Sequence, residues 1–168
     1  MKGNNKTMLR GILFVLPLFG AALFSGQVTA ASNSFDITTM PPAELVSNFQ
    51  PGTLINPYDP KDPEIAKEGH QIFMETGCNG CHGGTGGGGM GPPLSNQRWV
   101  YGKDPDTLFR LVTLGSEKLM EQGYSRKARE NVRAPMPPQA SGDIVIIESS
   151  DRLWKIITWI LSLHENKD

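Results

Sequence analysis

Five consecutive residues, Cys78-Asn79-Gly80-Cys81-His82, constrain this chain more than any other feature of its sequence. Two thiols separated by two residues and followed at once by a histidine form the attachment pattern of a covalently bound haem. The thiols add to the two vinyl groups of one haem, and the adjacent imidazole is then held under the iron as a ligand. The pattern therefore predicts one haem c per chain, bound through Cys78 and Cys81 and ligated by His82.

Other roles for this cysteine pair are less compatible with the rest of the chain. A structural zinc site needs four ligands, and the sequence contains no second cysteine pair. A thioredoxin-like redox pair would lie between a strand and a helix, and no strand is predicted before Cys78. A plain disulfide between Cys78 and Cys81 remains an alternative, since disulfides persist in exported proteins.

The N-terminus indicates export. Three basic residues precede an apolar run over residues 11–24, and small residues follow up to Ala30. This three-part pattern predicts a signal peptide over residues 1–30, cleaved after Ala30 or Ala31, and hence a periplasmic protein. An uncleaved anchor is the alternative, but fourteen apolar residues are fewer than the roughly 20 that a transmembrane helix needs. We expect no membrane span after cleavage.

Charge limits the kinds of partner. Without residues 1–30 the chain has 13 basic and 17 acidic residues, a formal net charge of −4. Haem propionates would make the protein more negative still. Binding to nucleic acid requires a basic face that neutralises phosphates, so we expect no nucleic-acid partner.

The positions of prolines, glycines and apolar residues predict the elements. Prolines interrupt residues 31–61, which we expect to form an extended N-terminal lead with a helical turn over residues 43–48. The domain that would bind the haem is expected over residues 62–168. Its predicted helices begin at Asp62-Pro63, Asp104-Pro105 and Ser150-Asp151 and run to about Thr76, Gly115 and His164. Residues 83–91 are too rich in glycine to form an element, and residues 116–134 are expected to be helical only in part.

Met136 is the best candidate for a second iron ligand. It lies between prolines, in Ala134-Pro135-Met136-Pro137-Pro138, where fixed φ angles stiffen the chain. It also follows His82 by 54 residues, enough chain to reach the opposite face of a haem. Met90 follows His82 too closely for this, and Met120 is a weaker candidate. An open or histidine-bound position stays an alternative, and so does a packing role for any methionine.

Together these motifs resemble the class I c-type cytochromes over roughly residues 62–163. The resemblance is carried by Gly69 and Phe73, the haem motif, Gly91-Pro92-Pro93-Leu94, Met136-Pro137-Pro138, and Ile156 with Trp159. It implies a small all-α fold of about three to five helices around one covalent haem, in which the first and last helices cross near Gly69. It also implies that the Pro92 carbonyl accepts a hydrogen bond from His82. Trp99 and Tyr101 are candidates for contacts with the haem propionates or for packing around the haem.

A closer resemblance concerns residues 83–114. Gly88-Gly89-Met90-Gly91-Pro92-Pro93-Leu94 and Trp99-Val100-Tyr101-Gly102 are similar to segments of cytochromes that accompany quinoprotein alcohol dehydrogenases of methylotrophic bacteria. This resemblance implies a role in methanol or alcohol oxidation. We therefore expect a non-enzymatic carrier of single electrons from such a dehydrogenase to a cytochrome or oxidase. The alternatives are a haem subunit of another periplasmic oxidoreductase and a ligand-binding or catalytic haem protein with a labile sixth position.

Overall fold

The computed structural model describes residues 36–131 and 134–164. This part of the chain contains helices and no strands, which agrees with the predicted all-α class. The helices are α1 (Pro42–Asn48), α2 (Pro63–Glu75), α3 (Asn79–His82), α4 (Pro105–Glu121) and α5 (Ser150–Ser162). The predicted signal peptide (residues 1–30), the first residues of the lead and Arg133 lie outside the described residues, as do residues 165–168. No helix of the described residues is long and apolar enough to cross a membrane.

The Asp-Pro pairs at Asp62-Pro63 and Asp104-Pro105 begin helices, as predicted. Asp62 accepts hydrogen bonds from the backbone N–H groups of Glu64 and Ile65 at the start of α2. Asp104 accepts one from Thr107 N at 2.9 Å at the start of α4. These carboxylates satisfy backbone donors that have no partner within their own helix, and proline follows because its missing N–H costs nothing there.

Helices α2 and α5 cross at Gly69. A Cβ atom on Gly69 would lie 1.9 Å from the Lys155 carbonyl oxygen and 3.1 Å from Trp159 Cβ. The two backbones can approach this closely only because glycine has no side chain. Beside the crossing, the rings of Phe73 and Trp159 pack with their centroids 4.5 Å apart. The predicted contact of Gly69 with α5 is therefore confirmed, at Lys155 and Trp159.

Helix α4 is broken at Gly115. This residue has φ 76° and ψ 167°, a conformation that is almost restricted to glycine. The chain before the break forms the helix that the sequence predicts, and residues 116–121 continue as a further helical turn. The expected partial helicity of residues 116–134 thus resides in its first residues.

A buried ion pair attaches the N-terminal lead to α4. Arg110 and Asp106 are 1% and 3% exposed, and their side chains meet at 2.8 Å. Arg110 also donates to the carbonyl oxygens of residues 46, 49 and 50, while Asp106 accepts from Gly52 N and Leu54 N at 3.0 Å. Burial raises the pKa of Asp106, but the hydrogen bonds from Arg110 and the two N–H groups outweigh it, so the pKa is lowered from 3.8.

Candidate metal centre

A largely apolar cleft brings together most of the residues that the sequence singles out. It encloses about 1040 Å³ of empty space, including its open mouth. Helices α2, α4 and α5 contribute Phe73, Leu108, Val112, Ile156 and Ile160 to its walls. The predicted site residues among those that line it are Cys78, His82, Pro92, Trp99, Tyr101 and Met136.

The His82 ring is oriented by the Pro92 carbonyl. His82 Nδ1 lies 2.8 Å from Pro92 O, the contact that the family resemblance implies. A carbonyl accepts only, so Nδ1 carries the proton and donates it, which leaves the Nε2 lone pair for a metal. A Cβ atom on Gly91 would lie 2.9 Å from His82 Cε1, so this glycine lets the loop pass close beside the ring.

The glycine-rich loop (residues 83–91) is folded back on the haem motif by short backbone hydrogen bonds. Gly88 N donates to His82 O and Gly91 N donates to Cys81 O, both at 2.8 Å. His70, on α2, contacts the Gly84 carbonyl through Nε2 at 2.6 Å. The loop that carries Pro92 is therefore anchored both to α3 and to α2.

The two cysteines are free thiols in different environments. Cys78 is partly buried in the cleft wall, and its Sγ lies 3.3 Å from Thr76 Oγ1. Burial raises the pKa of the Cys78 thiol. Cys81 is exposed and is absent from the residues that line the cleft. No disulfide joins them, so both sulfur atoms are available for covalent attachment.

Met136 is held in the cleft by the break in α4. Its carbonyl accepts a hydrogen bond from Ser116 N and its N–H donates to Ser116 Oγ, both at 2.9 Å. A Cβ atom on Gly115 would lie 2.7 Å from Met136 O and from Pro138 N. The proline-rich segment (residues 134–138) therefore fits against α4 only because residue 115 is glycine.

The other methionines and histidines that were weighed as ligands lie elsewhere. Met90 and Met120 are 71% and 43% exposed, and neither lines the cleft. His70 stacks on Trp159, and His164 contacts the Leu94 carbonyl at 2.7 Å. Among the described residues, His82 and Met136 are the histidine and the methionine that line the cleft.

Two arginines in the cleft wall were not recognised from the sequence. Arg98 and Arg126 line the cleft together with Trp99 and Tyr101, and no carboxylate is among the described lining residues. The Arg126 guanidinium lies 5.9 Å from the centre of the Tyr101 ring. Arg126, Lys127 and Arg129 form a basic cluster in the sequence, but nothing in the sequence places this cluster beside residues 98–101. That contact depends on Lys127 N, which donates to Val100 O at 2.7 Å.

The chemistry of this lining fits a haem. The cleft presents apolar walls, a partly buried thiol, an imidazole with an available Nε2, a thioether and two guanidinium groups. The apolar walls match the ring of a haem, and the partly buried thiol matches one vinyl position. The imidazole and the thioether match the iron, and the two guanidinium groups match the carboxylates.

A comparison with known families gives one match. The family model described as Cytochrome c covers residues 66–164, from the second turn of α2 to the end of the described chain. The match includes the cysteine pair, the glycine-rich loop, the proline-rich segment and α5. No solved structure matches the chain.

Proposed function

The chain belongs to the cytochrome c family, and we propose that it is a periplasmic electron carrier in which His82 and Met136 ligate the haem iron. Proteins of this family transfer electrons and bind haem c covalently, one haem per chain in the monohaem class. One observation carries the assignment of the ligands: among the described histidines and methionines, His82 and Met136 line the same cleft.

Cys78 and Cys81 are proposed as the covalent attachment points. They are the two cysteines of the sequence, and neither forms a disulfide. Cys78 directly precedes the short helix α3, and Cys81 lies within it. The proposal gives Cys78 the buried attachment in the cleft wall and Cys81 the attachment nearer to solvent.

In this proposal His82 and Met136 would together hold the haem iron. The bond from His82 Nδ1 to Pro92 O keeps the imidazole in one tautomer and one orientation. When bound, the haem supplies one-electron exchange at its iron, and thioether ligation raises its potential. Ligation by both residues would leave the iron no position for a substrate, which supports a carrier rather than an enzyme.

The polar wall of the cleft is proposed to receive the haem carboxylates. Arg98 and Arg126 are the described cations of this wall, and Trp99 and Tyr101 carry N–H and O–H donors beside them. Hydrogen bonds from charged donors to carboxylates are stronger than neutral ones, and guanidinium geometry matches the two oxygen atoms.

The electron donor is proposed to be a quinoprotein alcohol or methanol dehydrogenase, and the acceptor a cytochrome or oxidase. Support comes from the resemblance of residues 83–114 to cytochromes that accompany such dehydrogenases. The proposed periplasmic location rests on the predicted signal peptide. A permanent haem subunit of another oxidoreductase would use the same chemistry and differ in how tightly it holds its partner.

Replacement of Met136 tests the ligand assignment. Met136→Ala is expected to lose the weak near-infrared sulfur-to-iron band of the oxidised protein and to lower the reduction potential, since the thioether is removed. Met120→Ala and Met90→Ala serve as controls and are expected to keep the band. A wild-type protein that lacks the band, or that binds carbon monoxide readily at neutral pH, would favour the ligand-binding alternative.

A kinetic measurement tests the proposed donor. The oxidised protein is mixed with a reduced quinoprotein alcohol dehydrogenase, and haem reduction is followed by its absorbance. We expect reduction that is faster than with an unrelated reduced flavoprotein. Equal rates with both donors would remove the support for this partner while leaving the electron-transfer role intact.

A further inference from the structure

We infer that Ser116 is a positioning residue for Met136, setting how firmly the thioether is held in the cleft. The inference rests on the proposed ligation by Met136 and goes beyond it, because it assigns the control of the ligand to a residue on α4. Ser116 is 5% exposed and lines the cleft itself.

Ser116 binds the backbone of Met136 on both sides of its Cα atom. Ser116 N donates to Met136 O, and Met136 N donates to Ser116 Oγ, each at 2.9 Å. Two hydrogen bonds to one residue restrict its rotation as well as its position. The Met136 side chain therefore leaves the backbone from a point that α4 determines.

The break at Gly115 makes this pair of bonds possible. In an unbroken helix, Ser116 N would donate to Val112 O four residues earlier. At the break, Ser116 N is released to Met136, and Val112 O accepts instead from Gln139 N at 3.0 Å. The next carbonyl, Thr113 O, accepts from Ser141 Oγ at 2.8 Å. The groups freed by the break are thus satisfied by the segment that carries Met136.

The two hydrogen bonds between Ser116 and Met136 also join the ends of a long stretch of the chain. Ser116 and Met136 are 20 residues apart, and the polar residues 117–135 lie between them. The entropy of closing a flexible loop changes only slowly with its length. Because the ends of this stretch are joined at Ser116 and Met136, the Met136 backbone is fixed directly to α4.

The test compares three variants of the haem-loaded, oxidised protein by titration with imidazole, which competes with Met136 for the iron. Ser116→Ala removes the hydroxyl that accepts from Met136 N. Ser116→Thr retains a hydroxyl. Ser141→Ala is the matched control, because it removes a serine hydroxyl bonded to the same helix five residues beyond the ligand.

We expect Ser116→Ala to bind imidazole about three- to tenfold more tightly than wild type, the range that one hydrogen bond of ordinary strength spans. Its near-infrared band should persist without imidazole. Ser116→Thr and Ser141→Ala should bind imidazole as the wild type does. Thermal unfolding of each variant, followed by circular dichroism, shows whether a change in affinity merely follows a loss of stability.

Two outcomes would overturn the inference. One is a Ser116→Ala protein whose imidazole affinity equals that of wild type, and the other is an equal rise in Ser116→Ala and Ser141→Ala. If Ser116→Ala does not fold, a Ser116→Thr protein with raised affinity would overturn it as well, and one with wild-type affinity would support it. Failure of the underlying ligand assignment is distinguishable, because Met136→Ala would then leave both the near-infrared band and the imidazole affinity unchanged.

Discussion

His82 and Met136 face the same cleft, but the chain holds them by contacts of very different range. On the His82 side, the ring and the glycine-rich loop are joined by hydrogen bonds between residues ten or fewer positions apart. On the Met136 side, the bonds to α4 join residues 20 to 28 positions apart. The first arrangement is local to the motif, whereas the second exists only when α4 and the proline-rich segment are packed together.

This difference predicts which side fails first when the protein is perturbed. Local turns can persist after distant packing is lost, while long-range contacts are lost with the tertiary structure that brings them together. We therefore expect disturbance of α4 to release Met136 while His82 stays bound. The covalent attachment proposed at Cys78 and Cys81 would strengthen this asymmetry, because it ties the haem to the His82 side.

The largest effect is expected from Arg110→Met, which removes the cation of the buried ion pair that attaches the N-terminal lead to α4. The substitution leaves Asp106 as a buried anion without its cation and removes the donor for three carbonyls of the lead. Loss of one partner of a buried ion pair costs about 3–5 kcal/mol. The free energy of unfolding should fall by this amount in urea titrations. Arg152→Met breaks an exposed pair with Glu75 and should change little.

The pH dependence of the same pair sharpens this prediction. The pKa of Asp106 is lower in the folded protein than its ordinary value of 3.8, so its contribution to stability is present above that value. The contribution is lost as pH falls through the lowered pKa. In Arg110→Met the uncompensated burial favours a protonated Asp106, so the stability difference from wild type should narrow in acid. A difference that is constant from neutral pH down to pH 3 would contradict this account.

A somewhat smaller effect is expected from Gly69→Val, which disturbs the helix that leads into the His82 side. The new side chain would meet the Lys155 backbone, which cannot rotate away as a side chain can. Overpacking of this kind costs typically 1–3 kcal/mol, and the backbone contact places the variant near the upper end. Thermal unfolding measures the loss. Unchanged stability would mean that the crossing of α2 and α5 tolerates a wider separation than the structure has.

Substitutions of Gly115, beside Met136, and Gly91, beside His82, allow a direct comparison of the two sides of the cleft. In Gly115→Ala, alanine must adopt a backbone conformation that costs a residue other than glycine about 1–3 kcal/mol. The new Cβ atom would also lie 2.7 Å from Met136 O. Gly91→Ala brings Cβ to 2.9 Å from His82 Cε1, but Gly91 does not have a positive φ, so the substitution adds no backbone strain of the kind expected at Gly115. We expect Gly115→Ala to lose the near-infrared band and Gly91→Ala to keep it. Equal loss in both variants would contradict the proposed difference between the two sides.

The smallest effect is expected from Arg126→Gln in the polar wall. Loss of a cation near the haem favours the more positive, oxidised iron, so the reduction potential should fall modestly. Because Arg126 is exposed, the difference from wild type should shrink at high ionic strength. Arg129→Gln is the control, since Arg129 does not line the cleft. A similar fall in both variants would indicate a general effect of charge and not a contact with the haem.

Much of the fold followed from local signals. Asp62 and Asp104 marked helix starts because a carboxylate followed by proline is stable at a helix N-terminus and unfavourable inside a helix. Helix α2 ends at Glu75, close to the predicted end at about Thr76, and Gly77 follows with φ 74°. The short helix α3 was not predicted, because a single helical turn has too few residues to show a periodic pattern.

Long-range partners were the part that local signals could not predict. Arg110 has the appearance of an ordinary helical residue, and its burial depends on carbonyl groups some 60 positions earlier in the chain. Arg98 and Arg126 belong to separate segments of the sequence. In the structure these segments meet where Lys127 N donates to Val100 O. Pairing between distant segments depends on the packing of the whole domain, which no short window of sequence contains.

By itself the sequence determined the His82 side of this protein. The spacing of Cys78, Cys81 and His82, and the Gly-Pro pair that follows, fall within 15 consecutive residues, and their chemistry depends on neighbours along the chain. The sequence also favoured Met136 over Met90 and Met120, but only the tertiary structure shows that Met136 shares the cleft with His82 and that Gly115 and Ser116 hold it there. The physical reason is distance along the chain: a thioether 54 residues from the histidine reaches the same cleft only when a broken helix, packed by other segments, offers hydrogen bonds to its backbone.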